Sequence, residues 1–404
     1  MLQRLNQPIS FRRKLASAPE PGSAQSMVRR PHRSRRVRNL VGLEIEPGQL
    51  VAAKSHVNGH VVVEKAVGTP IPPNLVRDGE VTDLDALTSA LSDLFSGSGL
   101  DRRVRIGIAN QRIVMRQIEL PPILDPKELD SAVRFQAQDE IPMPIDSVVL
   151  DYHPLGIVEV DGAARMRVLL VAARRDMVER VLLAARQAGL RPEGVDLAAF
   201  GMIRALRPMD VAETDRVLYL SIGGLTNLAI AAGGTCEFTR VITSGIDQVV
   251  GEVAARAGLP FADARRAVAA VSEGVMLPRS ELASSPPPAE PESSPPALGS
   301  HEAVSDETAE VARTALADGI RRIASEVRNS LDFHLGAHGE TPIARAVLTG
   351  PALDLAGFDV ALGRELGLPL TRGEVALASP SAAGHVPMSR LAVAAGLSVA
   401  EGPK

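Results

Sequence analysis

Two stretches of the sequence follow one plan, and that repetition constrains the fold more than any other feature. Residues 39–67 are predicted as strand Leu40 to Glu46, a Pro47-Gly48 turn, strand Gln49 to Val57, an Asn58-Gly59 turn and strand His60 to Val67. Residues 216–243 repeat it as strand Val217 to Ile222, a Gly223-Gly224 turn, strand Thr226 to Ala232, a Gly233-Gly234 turn and strand Cys236 to Ile242. Helices and strands alternate after each meander, which predicts a duplicated α/β fold with two lobes around a cleft.

Helical spacing is legible after both meanders. Asp176 is expected to cap a helix that buries Val178, Val181, Leu182 and Ala185 and stops at Gly189. A longer helix is expected from about Glu307 to Leu335, with Val311, Leu316, Ile320, Ile323, Val327 and Leu331 on one face. Material from Arg77 to Ala173 exceeds the repeat. It holds a helix near Leu84 to Leu94, strands Val104 to Ala109 and Ile113 to Glu119, a helix from Pro126 to Gln138, and strands near Val148 to Tyr152 and Met166 to Ala173. The expected plan is a first lobe from 39–76 and 175–213, a small α/β subdomain inserted at 77–174, and a second lobe at 214–400.

Composition narrows the function. Apolar residues make up 45% of the 404, yet aromatics are 2% and Trp is absent, so the core is aliphatic and surfaces built on stacking aromatics are not expected. Residues 1–38 hold ten Lys or Arg against one acid, Glu20, a net +9; the whole chain is −4, which leaves −13 for residues 39–404. An acidic fold is not a nucleic-acid binder by its net field. The basic segment has no apolar period and reads as a disordered tail, with Met27 as a second start within it. The run Ser284 to Ser300, with six prolines, reads as an exposed loop inside the second lobe. A single cysteine, Cys236, excludes an intramolecular disulfide and fits a reducing cytoplasm. No run of 18 apolar residues is present, so no membrane span is expected.

In a duplicated fold of this kind the first hairpin turn of each lobe points into the cleft, where Gly and Ser turns offer backbone N–H groups to phosphates. Pro47-Gly48 and Gly223-Gly224 are turns at those places. Other chemistry is weakly supported. His334 and His338 have metal-pair spacing without a third ligand and are expected as a solvated pair. Asp125, Glu128 and Asp130 open a helix, where acids favour the dipole. Cys236 lacks a basic neighbour and is expected in the core.

Several phrases resemble the PilM family of type IV pilus assembly proteins, in the same order: Val41-Gly42-Leu43-Glu44-Ile45, Ile118-Glu119-Leu120-Pro121, Asp139-Glu140-Ile141-Pro142-Met143-Pro144-Ile145, Val149-Leu150-Asp151-Tyr152, Leu170-Val171-Ala172-Ala173-Arg174, Ala188-Gly189-Leu190-Arg191-Pro192 and Thr226-Asn227-Leu228-Ala229-Ile230. The resemblance covers about residues 39–400. It implies an actin-like, ribonuclease H-like fold related to FtsA, with a subdomain inserted in the first lobe. It also implies a cytoplasmic scaffold at the inner face of the cytoplasmic membrane. There such a scaffold grips the short N-terminal cytoplasmic peptide of a PilN-like single-span inner-membrane protein, beside other pilus assembly proteins.

By the same resemblance the cofactor would be ATP with Mg, and the chain departs from the family's three loops. The first usually reads Asp-Ile-Gly and here is Glu44-Ile45-Glu46-Pro47-Gly48; Ser221 stands where an Asp is usual; the third is reduced to Gly350-Pro351-Ala352. The cleft candidates that the resemblance implies are Gly48, Gly223, Gly224, Thr226, Asn227 and Gly350; against them stand Glu46, a carboxylate where the family has a Gly, and Pro47, which lacks a donor N–H, so weak ATP binding and no hydrolysis are expected. The resemblance places the peptide groove at the inserted subdomain; the residues of the loop itself offer Ile141, Met143 and Ile145 as its candidate rim, held extended by Pro142 and Pro144, or equally a connector that packs Ile141 and Ile145 into the subdomain core. The alternatives are an active actin-like ATPase or sugar kinase, which needs the loops intact, and an FtsA-like cell-division protein. For the second, the stretch Leu397 to Lys404 is too short, and too rich in Gly and Pro, for a membrane-binding helix.

Overall fold

The structure is a computed structural model that describes residues 40–72, 74–276, 305–338 and 342–400. The expected tail at 1–38 and the proline-rich loop at 284–300 lie outside the described residues.

The first meander is β1 (Val41–Glu46), β2 (Gln49–Asn58) and β3 (His60–Pro70). Pro47 and Gly48, with φ +84° at Gly48, form the two-residue connection between the paired Glu46 and Gln49. Proline fixes the first turn position and glycine tolerates the left-handed second. A small hairpin follows, β4 (Val76–Arg77) and β5 (Glu80–Val81), turned by Asp78 and Gly79, both at positive φ. Helix α1 (Leu84–Phe95) is capped by Asp83, whose side chain accepts from the Ala86 N–H at 3.0 Å. Then come β6 (Arg103–Ile108), β7 (Val114–Leu120), α2 (Pro126–Glu140), β8 (Val148–Val160), β9 (Ala163–Arg174), α3 (Arg175–Gln187), β10 (Arg191–Leu197) and α4 (Ala198–Leu206).

The second meander is β11 (Arg216–Ile222), β12 (Thr226–Ala232) and β13 (Thr235–Ile242). It continues into α5 (Ile246–Ala257), α6 (Phe261–Met276), α7 (Asp306–His338), β14 (Ile343–Thr349), α8 (Phe358–Leu366), β15 (Leu370–Arg372), β16 (Ala376–Leu377) and α9 (Ala392–Ser398). The two sheets are copies in topology. One runs β10-β6-β1-β2-β3, extended at its edge by β16, and the other runs β15-β14-β11-β12-β13. In each, an antiparallel meander is followed by two strands parallel to its first. The duplication expected from the repeat is therefore present strand for strand.

Four expectations about elements need correction. β6 is not part of the insertion: it pairs parallel with β1, and Val104, Ile106 and Ile108 lie in the first-lobe core with Leu87 and Leu91 of α1. The separate unit is 114–174, where β7-β9-β8 and α2 enclose their own core around Val133, Ala137, Val168 and Leu170. The physical reason is that β1 has a second edge, and a parallel strand satisfies its N–H and C=O groups. The second lobe also ends before residue 400. β16 pairs with β3, and α9 packs on β1, β2, β6 and α4, so the chain returns to the first lobe. That return needs small residues. A Cβ on Gly42 would lie 1.9 Å from the Ala394 carbonyl oxygen, and one on Gly396 1.8 Å from that of Gly201.

The third correction is at α3, which starts at Arg175 after Arg174; Asp176 sits inside the first turn and pairs with Arg174. The fourth is His334. It is fully buried rather than solvated, with Nε2 3.5 Å from the Glu237 carboxylate and its ring against Phe238. Cys236 is buried as expected, and burial pushes its thiol well up.

Two large cores follow from this layout. α4 touches strands of both sheets, so one face of the second sheet, with Val217, Tyr219 and Ala229, joins the first-lobe core. Its other face is covered by α5, α6, α7 and α8 through residues such as Val249, Leu316 and Phe358.

Candidate functional site

The turns after β1 and β11 and the end of β14 meet between the lobes. The contact is close enough to require glycine: a Cβ on Gly223 would lie 2.0 Å from Glu46 Oε1, and one on Gly224 would lie 2.7 Å from both Pro47 Cβ and Asp247 Oδ2. Neither glycine has positive φ, so the requirement is for space and not for conformation. Gly350, at φ +97°, backs onto Ile222 and the Ser221 hydroxyl, and its N–H donates to the Ser389 carbonyl at 2.7 Å.

Around these turns lies a concentration of carboxylates. Glu46 accepts from Gln49 Nε2 at 3.1 Å and from the Gly224 backbone N–H. Burial, then the nearby Asp247, pushes its carboxyl up to about 7. Glu44, buried one strand residue pair away, is raised well above the ordinary range by burial and then by Glu46, against the pull of Arg390. Asp247, in the first turn of α5, is raised by burial against the opposing charge of Arg265, whose Nη2 is 2.5 Å from its Oδ1. The other oxygen, Oδ2, is buried without a hydrogen-bond partner. Arg390 ties the lobes together: Nη1 donates to Gln49 Oε1 at 2.7 Å in the first lobe, and Nε to Asp354 Oδ2 at 2.9 Å in the second. The remaining space, lined by Glu44, Glu46, Ser221, Gly350 and Arg390 among others, has no room for a water molecule.

The structure thus gathers Gly48, Gly223, Gly224 and Gly350 around one cleft; Gly48 faces Asp247 and Arg265. It does not gather the other two candidates. Thr226 is fully buried with its hydroxyl donating to the Ser244 carbonyl at 2.7 Å, a bond that ties the start of β12 to the segment after β13. Asn227 lies on the opposite face of β12 and lines a different cavity of about 70 Å³, with Ile108, Asn110, Gln111, Leu197 and Arg240. Sequence reasoning missed Asp247, Arg265, Gln49 and Arg390. Only Asp247 carried a signal, as the acid that opens the helix after the second meander.

In the insertion, Ile141 caps the C-terminus of α2 and is buried in the subdomain core, so it is not a rim residue. Met143 and Ile145 are partly exposed and rest on that core. Two apolar side chains not singled out from sequence are far more open: Leu124 is 85% exposed and Phe135, on α2, is 70% exposed. Asp125 caps α2 by accepting from the N–H groups of Lys127 and Glu128, each at 2.9 Å, as its position predicts. Among the described residues no group of three His, Cys, Asp or Glu is placed to hold a metal ion, and no helix is long and apolar enough to cross a membrane.

The sequence profile of a family described as type IV pilus assembly protein PilM matches residues 46–272, more than half of the chain. The chain belongs to the PilM family. A solved chain of a PilM-PilN type IV pilus biogenesis complex is similar over 89% of this chain and 97% of that one, at 24% identity and a TM-score of 0.68. The ethanolamine utilization protein EutJ from Carboxydothermus hydrogenoformans is 13% identical over 89% of this chain and 88% of its own, with a TM-score of 0.48. MreB5 of Spiroplasma citri bound to ADP is 12% identical over 89% and 95%, with a TM-score of 0.47. The fold of this PilM-family chain is actin-like, with the insertion carried in its first lobe.

Proposed function

We propose that this PilM-family chain is a non-enzymatic scaffold for type IV pilus assembly. It grips the short N-terminal cytoplasmic peptide of a PilN-like single-span membrane protein, and through that partner it sits at the inner face of the cytoplasmic membrane. The observation that carries the reading is the family match over residues 46–272, which spans the whole insertion and most of the first lobe. The insertion presents exposed apolar side chains, Leu124 and Phe135, and the partly exposed Met143 and Ile145. Rigid apolar positions of this sort contribute to binding at little ordering cost.

Mg-ATP fits the interlobe cleft poorly. A triphosphate would meet Glu44, Glu46 and Asp247, all acids, while the Gly224 N–H that would serve it is already used by Glu46. Pro47 supplies no donor. The cleft is therefore read as degenerate, and no catalytic step is assigned to it.

The test is a fluorescence anisotropy titration of the full chain with the labelled N-terminal peptide of a PilN-like protein encoded beside it. Saturable binding is expected, weakened by Met143→Glu and Phe135→Glu on the insertion and unchanged by Val360→Glu, on an exposed position of α8. A folded chain that binds no such peptide contradicts the proposal.

A further inference from the structure

A degenerate nucleotide cleft would ordinarily be expected to stand open, because nothing then bridges the lobes where phosphates would lie. This one is shut, and the Glu46 side chain fills the place where the two turns meet. Gly223 and Gly224 form the turn after β11 whose counterpart in a phosphate-binding site offers bare backbone to an anion. Glu46 reaches across from the other lobe and puts its carboxyl group against Gly223, so close that a Cβ there would lie 2.0 Å from Oε1 and 2.9 Å from Oε2. The Gly224 N–H bonds to it, and Gln49 Nε2 holds it from behind at 3.1 Å. Two glycines that need no left-handed backbone are thus explained by what approaches them.

We propose that Glu46 is a built-in substitute for phosphate: its carboxyl group fills the Gly223–Gly224 cradle and latches the two lobes in the closed arrangement with no nucleotide present. The inference deepens the degenerate-cleft part of the proposed function and rests on it, but it is independent of which peptide the insertion binds. The neighbours support the latch. Arg390 links Gln49 of the first lobe to Asp354 of the second, so the residue that holds Glu46 is itself tied across the cleft. Ile246 N–H donates to the Gly223 carbonyl at 2.8 Å, which fixes the cradle on α5. Glu44 and Asp247 flank the carboxyl, and burial with Asp247 raises it to about 7, so near neutral pH it is in part protonated and still accepts through its carbonyl oxygen.

The experiment compares the full chain with Glu46→Gly and Glu46→Gln by amide hydrogen exchange across residues 221–226 and by calorimetric titration with Mg-ATP. Glu46→Gly empties the cradle; exchange at Gly224 should rise, and affinity for Mg-ATP should increase by about tenfold or more. Glu46→Gln keeps the shape and an acceptor oxygen, and should do neither. If the glycine variant unfolds, Glu46→Ser is put through the same two measurements with the same expectation. Unchanged exchange in the emptied variant, no gain for Mg-ATP, or an equal gain in Glu46→Gln each overturns the proposal. Peptide binding, measured on the same preparations, separates this failure from failure of the scaffold reading.

Discussion

At the scale of single residues, the cleft concentrates three acids whose ionised forms the fold disfavours. Those facing Glu46 are Glu44 from its own strand and Asp247 from α5; Arg390 and, through Asp247, Arg265 oppose them. An acid raised from 4.5 to about 7 binds its proton more tightly folded than unfolded. The folded state then loses stability as pH rises through that window, and the penalty is complete above about 7. Each unit is about 1.4 kcal/mol, and Glu46 is only partly buried by surface, so about 1–3 kcal/mol is expected. Glu46→Gln should exceed the native chain in urea stability by that amount at pH 8, with the gap closing towards pH 5; a gap independent of pH contradicts the assignment. Cys236 should stay unreactive to a thiol reagent until the chain is unfolded, since burial holds it as the thiol.

Part of this was legible. The turn glycines lie where the hairpin pattern places them, with Glu46 and Pro47 beside them. Asn227 was misplaced for a reason also present in the sequence: Thr226 and Asn227 are consecutive in a strand, and consecutive strand side chains face opposite ways. Arg390 and Gln49 gave no local signal because their roles exist only once distant segments meet.

At the scale of elements, the meanders and amphipathic helices follow their periodicity closely, because each buries one regular face. The end of the chain escapes that logic. α9 is seven residues of small and apolar type, and β16 is two residues long, too short for a period to declare itself. The docking of α9 is set by Gly42, Gly201 and Gly396, where backbone meets backbone, and that of β16 by its pairing with β3. Gly396→Ala would bring a Cβ to 1.8 Å from the Gly201 carbonyl oxygen, and the helices must part. The variant should lose about 1–3 kcal/mol by urea denaturation despite alanine's better helix propensity. Stability equal to or above the native chain contradicts the close α4–α9 contact. The boundary at β6 was missed for a related reason: an apolar strand is equally at home in the insertion or beside β1, and only pairing decides.

At the scale of the molecule, two copies of one lobe share a core through α4, and an insertion with its own core projects from the first. Duplication placed the Gly48 turn and the Gly223–Gly224 turn face to face, with Glu46 between them. The proposed function puts partner binding at the insertion and nucleotide in neither lobe. The most direct measurement of that division is a calorimetric titration of the full chain with the PilN-like N-terminal peptide, run without nucleotide and again with a large excess of Mg-ATP. Equal affinity in both, with only weak binding of Mg-ATP alone, is the predicted result. Peptide binding that appears only when Mg-ATP is present would contradict it.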